Sequence, residues 1–148
     1  LLADMGAEVI RIEKIDGSED RYTIPVGKGA DGEYSVGAMF LQMNRNKLGL
    51  TLNPMKPEGR DIVHKLGATA DVLIANLPAQ ALKTMGLDYE GLSAIKSDII
   101  LTAVSAFGST GPYSDRVGFD GVAAAMSGMM HLTGNPDKPM KAYTPWVD

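Results

Sequence analysis

The 148-residue sequence contains no cysteine, and aromatic residues make up only 6% of it. The absence of cysteine excludes disulfide bonds, a thiol nucleophile and zinc sites built on thiolates. It is typical of proteins from reducing compartments, so we expect a cytoplasmic protein. No apolar run approaches the roughly 20 residues that a membrane-spanning helix needs, and no secretory signal peptide is visible. We therefore expect no membrane partner.

Positive charge is also scarce, because 14 Lys and Arg residues stand against 18 Asp and Glu residues, a net charge of -4. Nucleic-acid binding requires clustered basic side chains that neutralise phosphates, so we expect no nucleic-acid partner. The hydrophobic content of 45% and the charged content of 22% are ordinary for a globular domain. A chain of this length is sufficient for one domain with its own core, which we place at residues 1–148.

The sequence further lacks the short motifs of several enzyme classes. There is no G-x-G-x-x-G after a predicted strand, no P-loop and no G-x-S-x-G nucleophile elbow. The two histidines, His64 and His131, are far apart and have no carboxylates at metal-ligand spacing. We expect no metal site. We expect His64 to be packed or exposed on a helix and His131 to lie at a helix end.

What the sequence does contain is an alternation of strand-like and helix-like segments. β-Branched and apolar runs predict strands, whereas apolar residues at helical spacing predict helices. The predicted strands cover residues 7–13, 48–52, 70–75 and 98–104, and the predicted helices cover residues 58–68, 79–85, 89–96 and 119–130. Residues 14–37 predict a long loop. Gly86 should end the helix before it, Leu92 and Ile95 should point inward, and the nearly continuous apolar run at residues 70–75 is typical of a parallel strand covered on both faces. This alternation indicates an α/β fold, with a parallel sheet and flanking helices.

In open parallel sheets, ligands bind beyond the carboxyl ends of the strands. Three predicted strands end at residues 13–14, 76–78 and 105–108, and we expect these ends to lie together at one edge. Asn76 offers an amide there, and Gly108 allows a close approach of the backbone to a ligand. Basic side chains suited to phosphates, or alternatively ordinary solvated surface charges, are Lys14, Arg45 and Lys47.

The last segment, residues 131–148, is dense in turn-forming residues and ends on Trp146, Val147 and Asp148. Its prolines and glycine exclude a long regular element, and irregular segments beside an α/β scaffold often carry chemistry. From spacing alone, Asp148 would be interpreted as a turn or capping residue.

Five ordered stretches together resemble the family III CoA-transferases, which include formyl-CoA and carnitine CoA-transferases and α-methylacyl-CoA racemases. The resemblance covers essentially the whole chain, and the intervals between the stretches match as well. The stretches are residues 2–14, residues 44–60 with Asn-Arg-Asn-Lys and Pro-Glu-Gly-Arg, residues 70–76, residues 86–89 with Gly-Leu-Asp-Tyr, and residues 107–128.

The resemblance implies a Rossmann-like parallel sheet that forms part of the large domain of an interlocked, ring-like homodimer. It implies an N-terminal fragment that lacks the first strand and the C-terminal part of the parent protein. It also implies an enzyme that moves coenzyme A from an acyl-CoA to a carboxylic acid, with CoA as substrate. The implied catalytic residue is Asp148. The implied CoA-binding residues are Lys14, Leu52, Asn53, Met55, Asn76, Leu77, Ser105, Ala106, Phe107 and Gly108.

The sequence departs from the family pattern at two places. Residues 76–80 read Asn-Leu-Pro-Ala-Gln where the family often has Asn-Phe-Arg-Pro-Gly, so the arginine and the glycine of that pattern are absent. Phe119 stands where racemases carry histidine, and phenylalanine cannot transfer a proton. The residues before Asp148 are closer to the carnitine-type transferases. Two alternatives remain, a racemase or isomerase of the same fold and a non-catalytic nucleotide-binding or structural domain.

Overall fold

The computed structural model describes residues 1–23, 25–30, 32–135 and 137–142. The chain forms two compact units, Leu1–Arg60 and the part that begins at Asp61. Within these residues, each unit contains one pair of parallel strands, and an antiparallel pair lies in the first unit. In the described part of the chain, no helix is long and apolar enough to cross a membrane.

The first unit is arranged around the parallel pair β1 and β4. Its elements are a 3₁₀ turn (Ala3–Met5), β1 (Ile10–Glu13), a second 3₁₀ turn (Glu19–Tyr22), β2 (Val26–Lys28), β3 (Tyr34–Gly37), α1 (Ala38–Met43) and β4 (Leu48–Thr51). The register of the parallel pair runs from Ile10 opposite Leu48 to Glu13 opposite Thr51. The strands predicted at residues 7–13 and 48–52 are therefore confirmed, with shorter bounds.

The prediction of one long loop over residues 14–37 is wrong. This stretch contains the 3₁₀ turn at Glu19–Tyr22 and the antiparallel strands β2 and β3. The strands are joined by a turn in which the Gly29 N–H donates to the Glu33 carbonyl at 2.8 Å. Glycine weakens a strand signal, because it has no side chain to pack, and this is why the pattern indicated a loop.

Glu13, at the end of β1, is a buried carboxylate with a side chain only 2% exposed. The Arg21 guanidinium donates to both of its oxygens, through Nε at 2.9 Å and through Nη2, and the Ser18 N–H donates at 3.2 Å. These bonds, with that from Arg21 first, outweigh burial and lower the pKa of Glu13 from 4.5 to about 2. The pair fastens the turn at Glu19–Tyr22 to the end of β1.

The second unit is arranged around the parallel pair β5 and β6. Its helices and strands are α2 (Pro57–Gly67, which begins in the first unit), β5 (Val72–Ala75), α3 (Ala79–Met85), α4 (Tyr89–Ile95), β6 (Ile100–Ala103), α5 (Asp120–Met126) and α6 (Met129–Thr133). The register runs from Val72 opposite Ile100 to Ala75 opposite Ala103. The core is contributed mainly by Val63, Leu82, Met85, Leu87, Leu92 and Ile99.

The boundaries of α3 and α4 follow directly from local chemistry. Gly86 has φ +65° and ends α3 in the left-handed conformation, as the sequence predicts. The Asp88 side chain then accepts the Gly91 N–H at 3.3 Å and caps the start of α4. Leu92, predicted to point inward, is only 1% exposed.

Three expectations for the second unit need correction. The single helix predicted at residues 119–130 is two helices, because Gly128 has φ +78° and breaks it. Ile95 is more than one third exposed, although we expected it to point inward. Ile74 on β5 is 63% exposed, so the described residues do not cover both faces of this strand.

The Glu13–Arg21 pair predicts a measurable loss of stability in Glu13→Gln. Removing the carboxylate leaves a half-buried guanidinium without its main acceptor, which should lower the free energy of unfolding by about 1–3 kcal/mol. Urea unfolding at pH 7 measures this loss. Glu8→Gln is the matched control, because Glu8 is exposed and its replacement changes the net charge equally. Equal stability of the two variants would contradict the assignment.

The same pair predicts a pH dependence with a defined sign. The folded-state pKa of Glu13 is depressed from 4.5 to about 2, so its stabilisation is complete above about pH 5 and is lost as the pH falls towards 2. The stability difference between the wild type and Glu13→Gln should narrow across this range. A difference that stays constant from pH 6 to pH 2.5 would show that Glu13 does not titrate in this way.

Candidate functional site

The carboxyl ends of β1 and β4 lie side by side in the first unit. The Leu52 N–H donates to the Glu13 carbonyl at 3.0 Å, so Lys14 and Asn53 follow from neighbouring strand ends. Leu52 is buried, whereas the Asn53 side chain accepts the Met55 N–H at 2.9 Å in an exposed turn. Four predicted CoA-binding residues, Lys14, Leu52, Asn53 and Met55, therefore lie at this edge of the first unit.

Lys14 brings an ammonium group to this edge. Its Nζ donates to Glu19 Oε1 at 2.5 Å, and this contact raises the pKa of Lys14 above its usual range. Both side chains are exposed, and exposed ion pairs contribute little to stability. A phosphate group that carries more negative charge than the Glu19 carboxylate can therefore replace it as the partner of Lys14.

An open cleft of about 230 Å³ lies beside the same strand ends. It is lined by Glu13, Ile15, Asp16, Gly17, Arg21, Tyr22 and Thr51. Ligand pockets for molecules of drug size usually measure about 300–1,000 Å³, so this cleft fits a part of a larger ligand. Tyr22 offers an exposed aromatic ring, on which a flat base can stack.

Arg45 and Lys47, predicted as possible phosphate ligands, lie at the opposite end of the strand pair, before β4 begins. Arg45 Nη2 pairs with Asp4 Oδ2 at 3.2 Å, and Lys47 Nζ donates to Asn44 Oδ1 at 3.0 Å. Both cations hold the turn between α1 and β4 in place. The structure therefore favours the alternative in which they are not ligands.

The carboxyl ends of β5 and β6 form a corresponding edge in the second unit. The Val104 N–H donates to the Ala75 carbonyl at 2.8 Å, so the segments after both strands start side by side. Asn76 and Leu77 are exposed there. The remaining predicted CoA-binding residues, Ser105, Ala106, Phe107 and Gly108, follow β6 at the same edge.

The loop after β6 is held in shape by a close contact and two ring contacts. A Cβ added at Gly118 would lie 2.7 Å from the Ala106 Cβ, so only glycine fits there. Phe107 packs edge-on against Tyr113, with ring centroids 5.7 Å apart, and the Arg116 guanidinium lies 4.4 Å from the Tyr113 ring centre. These contacts bring the predicted CoA loop against the residues that precede α5.

Two residues after Gly118, Asp120 begins α5 as a second buried carboxylate, and its Oδ2 lies 2.5 Å from Lys141 Nζ. Neither Asp120 nor Lys141 is among the predicted site residues, because nothing in the local pattern links residues 21 positions apart. The predicted catalytic residue, Asp148, lies outside the described residues.

The histidines have structural surroundings in the second unit. His64 Nε2 lies 3.1 Å from the Met85 carbonyl oxygen and joins α2 to the end of α3, which agrees with a packed role. His131 is exposed near the end of α6. Among residues 1–23, 25–30, 32–135 and 137–142, no three potential metal ligands form a cluster.

The model for CoA-transferase family III matches residues 1–148. Succinate–glutarate CoA-transferase of Agrobacterium fabrum is 41% identical, with 96% of this chain and 36% of the relative covered. Human succinyl-CoA:glutarate CoA-transferase is 38% identical, with 97% of this chain and 33% of the relative covered. The chain thus spans about a third of the length of these curated relatives.

A solved structure is similar as well. The crystal structure of a CAIB/BAIF family protein from Brucella suis superposes with a TM-score of 0.82 at 40% identity, covering 97% of this chain and 38% of that one. Its similarity covers both units with their parallel strand pairs. Together with the family match along the entire sequence, this shows that the chain belongs to CoA-transferase family III.

Proposed function

We propose that the full-length protein is a CoA-transferase that moves CoA from an acyl-CoA thioester to a carboxylic acid. The observation that carries this proposal is the location of the predicted CoA-binding residues, which follow the carboxyl ends of both parallel strand pairs. Ligands bind at such ends in α/β folds. Family membership supports the same class of reaction.

In the proposed mechanism, the Asp148 carboxylate is the nucleophile. It attacks the thioester carbonyl, the C–S bond breaks, and CoA thiolate leaves behind an acyl-aspartyl anhydride. The thiolate attacks the aspartyl carbonyl, which releases the donor acid and forms an aspartyl-CoA thioester. The acceptor carboxylate attacks this thioester, which releases thiolate and forms a second anhydride between the acceptor and Asp148. The thiolate then attacks the acceptor carbonyl of this anhydride, and the Asp148 carboxylate leaves. The product is a new acyl-CoA with Asp148 regenerated.

The two edges offer different chemistry to CoA. Lys14 supplies an exposed cation for a phosphate group, and the cleft beside it offers the Tyr22 ring to a flat base. The segment after β6 supplies backbone groups and the half-buried Phe107, which suit a less charged part of the ligand. We propose that each edge, considered by itself, carries residues suited to binding a part of CoA.

We propose short dicarboxylic acids as the substrate class. The support comes from relatives at 41% and 38% identity, whose names specify succinate and glutarate.

A racemase is disfavoured, since Phe119 at the start of α5 is exposed and has no titratable group. The family resemblance is also the basis for proposing a Rossmann-like domain and a homodimer, with a carnitine-type rather than racemase branch. The absence of cysteine is the basis for proposing a cytoplasmic location.

Replacing Asp148 tests the proposed nucleophile. Asp148→Asn keeps the size of the side chain but removes its nucleophilic oxygen, so kcat of the full-length protein should fall at least about 10³-fold. Transfer of CoA from succinyl-CoA to glutarate, followed by chromatography, measures the loss. Asp137→Asn, in the same segment, is the matched control and should retain activity. An active Asp148→Asn variant would refute this mechanism.

Replacing Lys14 tests phosphate recognition at the first edge. Lys14→Gln should raise KM for succinyl-CoA about tenfold, because a charge-assisted hydrogen bond is lost, and should leave kcat nearly unchanged. Lys47→Gln removes an equal charge at the opposite end of β4 and serves as the control. The two variants would behave alike if Lys14 did not meet the ligand.

Replacing Gly118 tests whether the loop after β6 binds CoA. In Gly118→Ala the new methyl group would clash with Ala106 and shift the loop, so KM for acyl-CoA should rise severalfold. Gly27→Ala is the control, because nothing lies within 4 Å of the added Cβ. An unchanged KM, in a variant whose loop has moved by crystallography, would exclude the loop from the CoA site.

A further inference from the structure

The ion pair between Asp120 and Lys141 joins the start of α5 to the segment that leads towards Asp148. Lys141 Nζ lies 2.5 Å from Asp120 Oδ2, and the Asp120 side chain is only 11% exposed. A buried carboxylate needs a partner, because its desolvation is costly. Lys141, whose side chain is 40% exposed, supplies this partner, and the ion pair holds its ammonium group at the buried carboxylate.

The segment before Lys141 is folded back onto α6 by its own hydrogen bonds. The Met140 N–H donates to the Met130 carbonyl at 3.1 Å, and Thr133 Oγ1 donates to the Met140 carbonyl at 2.6 Å. A Cβ at Gly134 would lie 2.3 Å from the Lys138 carbonyl oxygen, so the two passes of the chain touch. Backbone contacts thus set the direction of the segment, and the ion pair holds its far end.

The Asp120 end of this ion pair lies next to residues that contact the predicted CoA loop. Gly118, two residues earlier, packs against Ala106 and Phe107 at the carboxyl edge of β6. A shift of the start of α5 would therefore displace this loop, and a shift of the loop would displace the start of α5. In sequence, Lys141 lies seven residues before Asp148. The ion pair connects the ligand edge of the second unit with the segment that carries the nucleophile.

We propose that Asp120 and Lys141 are positioning residues that set the location of the Asp148 carboxylate relative to the bound thioester. This inference rests on the proposed function of Asp148. Neither residue forms or breaks a covalent bond in the reaction. The Lys141 ammonium group and the Asp120 carboxylate bind each other. Their effect is on the fraction of complexes with attack geometry, and a displacement of about 1 Å can cost roughly 10²-fold in rate.

The test uses the full-length protein and the variants Asp120→Asn, Lys141→Gln and Lys141→Arg. Loss of the ion pair should lower kcat for CoA transfer between about 10-fold and 10²-fold while KM for succinyl-CoA and for glutarate stays within about twofold. Lys141→Arg retains the charge and should restore most of kcat. Lys138→Gln, an equal charge change three residues earlier on an exposed side chain, should match the wild type.

Three results would overturn the proposal. The first is a kcat equal to wild type in Lys141→Gln, even if the melting temperature falls, because the pair would then be structural only. The second is a selective rise of KM for glutarate, which would make Lys141 a substrate ligand. The third is a failure of Lys141→Arg to restore kcat in a folded protein.

Asp148→Asn is measured alongside and separates this inference from the proposed function. If Asp148→Asn stays active, the nucleophile assignment fails irrespective of the ion pair. If Asp148→Asn is inactive while Asp120→Asn and Lys141→Gln are fully active, only the positioning role fails.

Discussion

The constraint on which the rest of the structure depends is the parallel pairing of very short strands. β1 with β4 and β5 with β6 each pair over only four residues, and parallel pairing brings the carboxyl ends of each pair together. The segments after these strands must therefore start side by side. This is why residues that are distant in sequence, such as Lys14 and Asn53 in one unit or Asn76 and Ser105 in the other, share an edge.

Each edge is reinforced by the same physical device, a buried carboxylate paired with a basic side chain. Glu13 and Asp120 are the two buried charged residues in the described part of the chain. Counting backbone and side chain together, Glu13 is 6% exposed and Asp120 is 7% exposed. Arg21 and Lys141 neutralise them from segments that have no long regular structure. Since a buried charge without its partner is costly, each pair specifies where an otherwise irregular segment must lie. Because an unpaired buried carboxylate is unfavourable, each ion pair fixes the position of a segment close to the proposed site.

Local signals made much of this predictable from the sequence. Residues 79–85 form the predicted helix because Gly86 ends it, and all four predicted strands are present because apolar and β-branched runs mark them. The expectation that residues 13–14, 76–78 and 105–108 lie at one common edge is wrong, because β1 pairs with β4 and β5 with β6 in separate sheets, and the sequence does not show which strands pair. Three features were not predicted. Gly29 weakened the strand pattern of the β2–β3 hairpin, and Gly128 ends one helix and begins another. The Lys141–Asp120 ion pair joins residues 21 positions apart, which no local pattern can indicate.

The central claim is that Asp148 carries the covalent chemistry, and trapping its intermediate tests this claim most directly. The full-length protein is incubated with succinyl-CoA and then with hydroxylamine or borohydride, digested, and mapped by mass spectrometry. The account predicts one modified residue, Asp148, with no modification of the Asp148→Ala protein. A protein that binds CoA, transfers it to glutarate and shows no adduct at Asp148 would contradict the account.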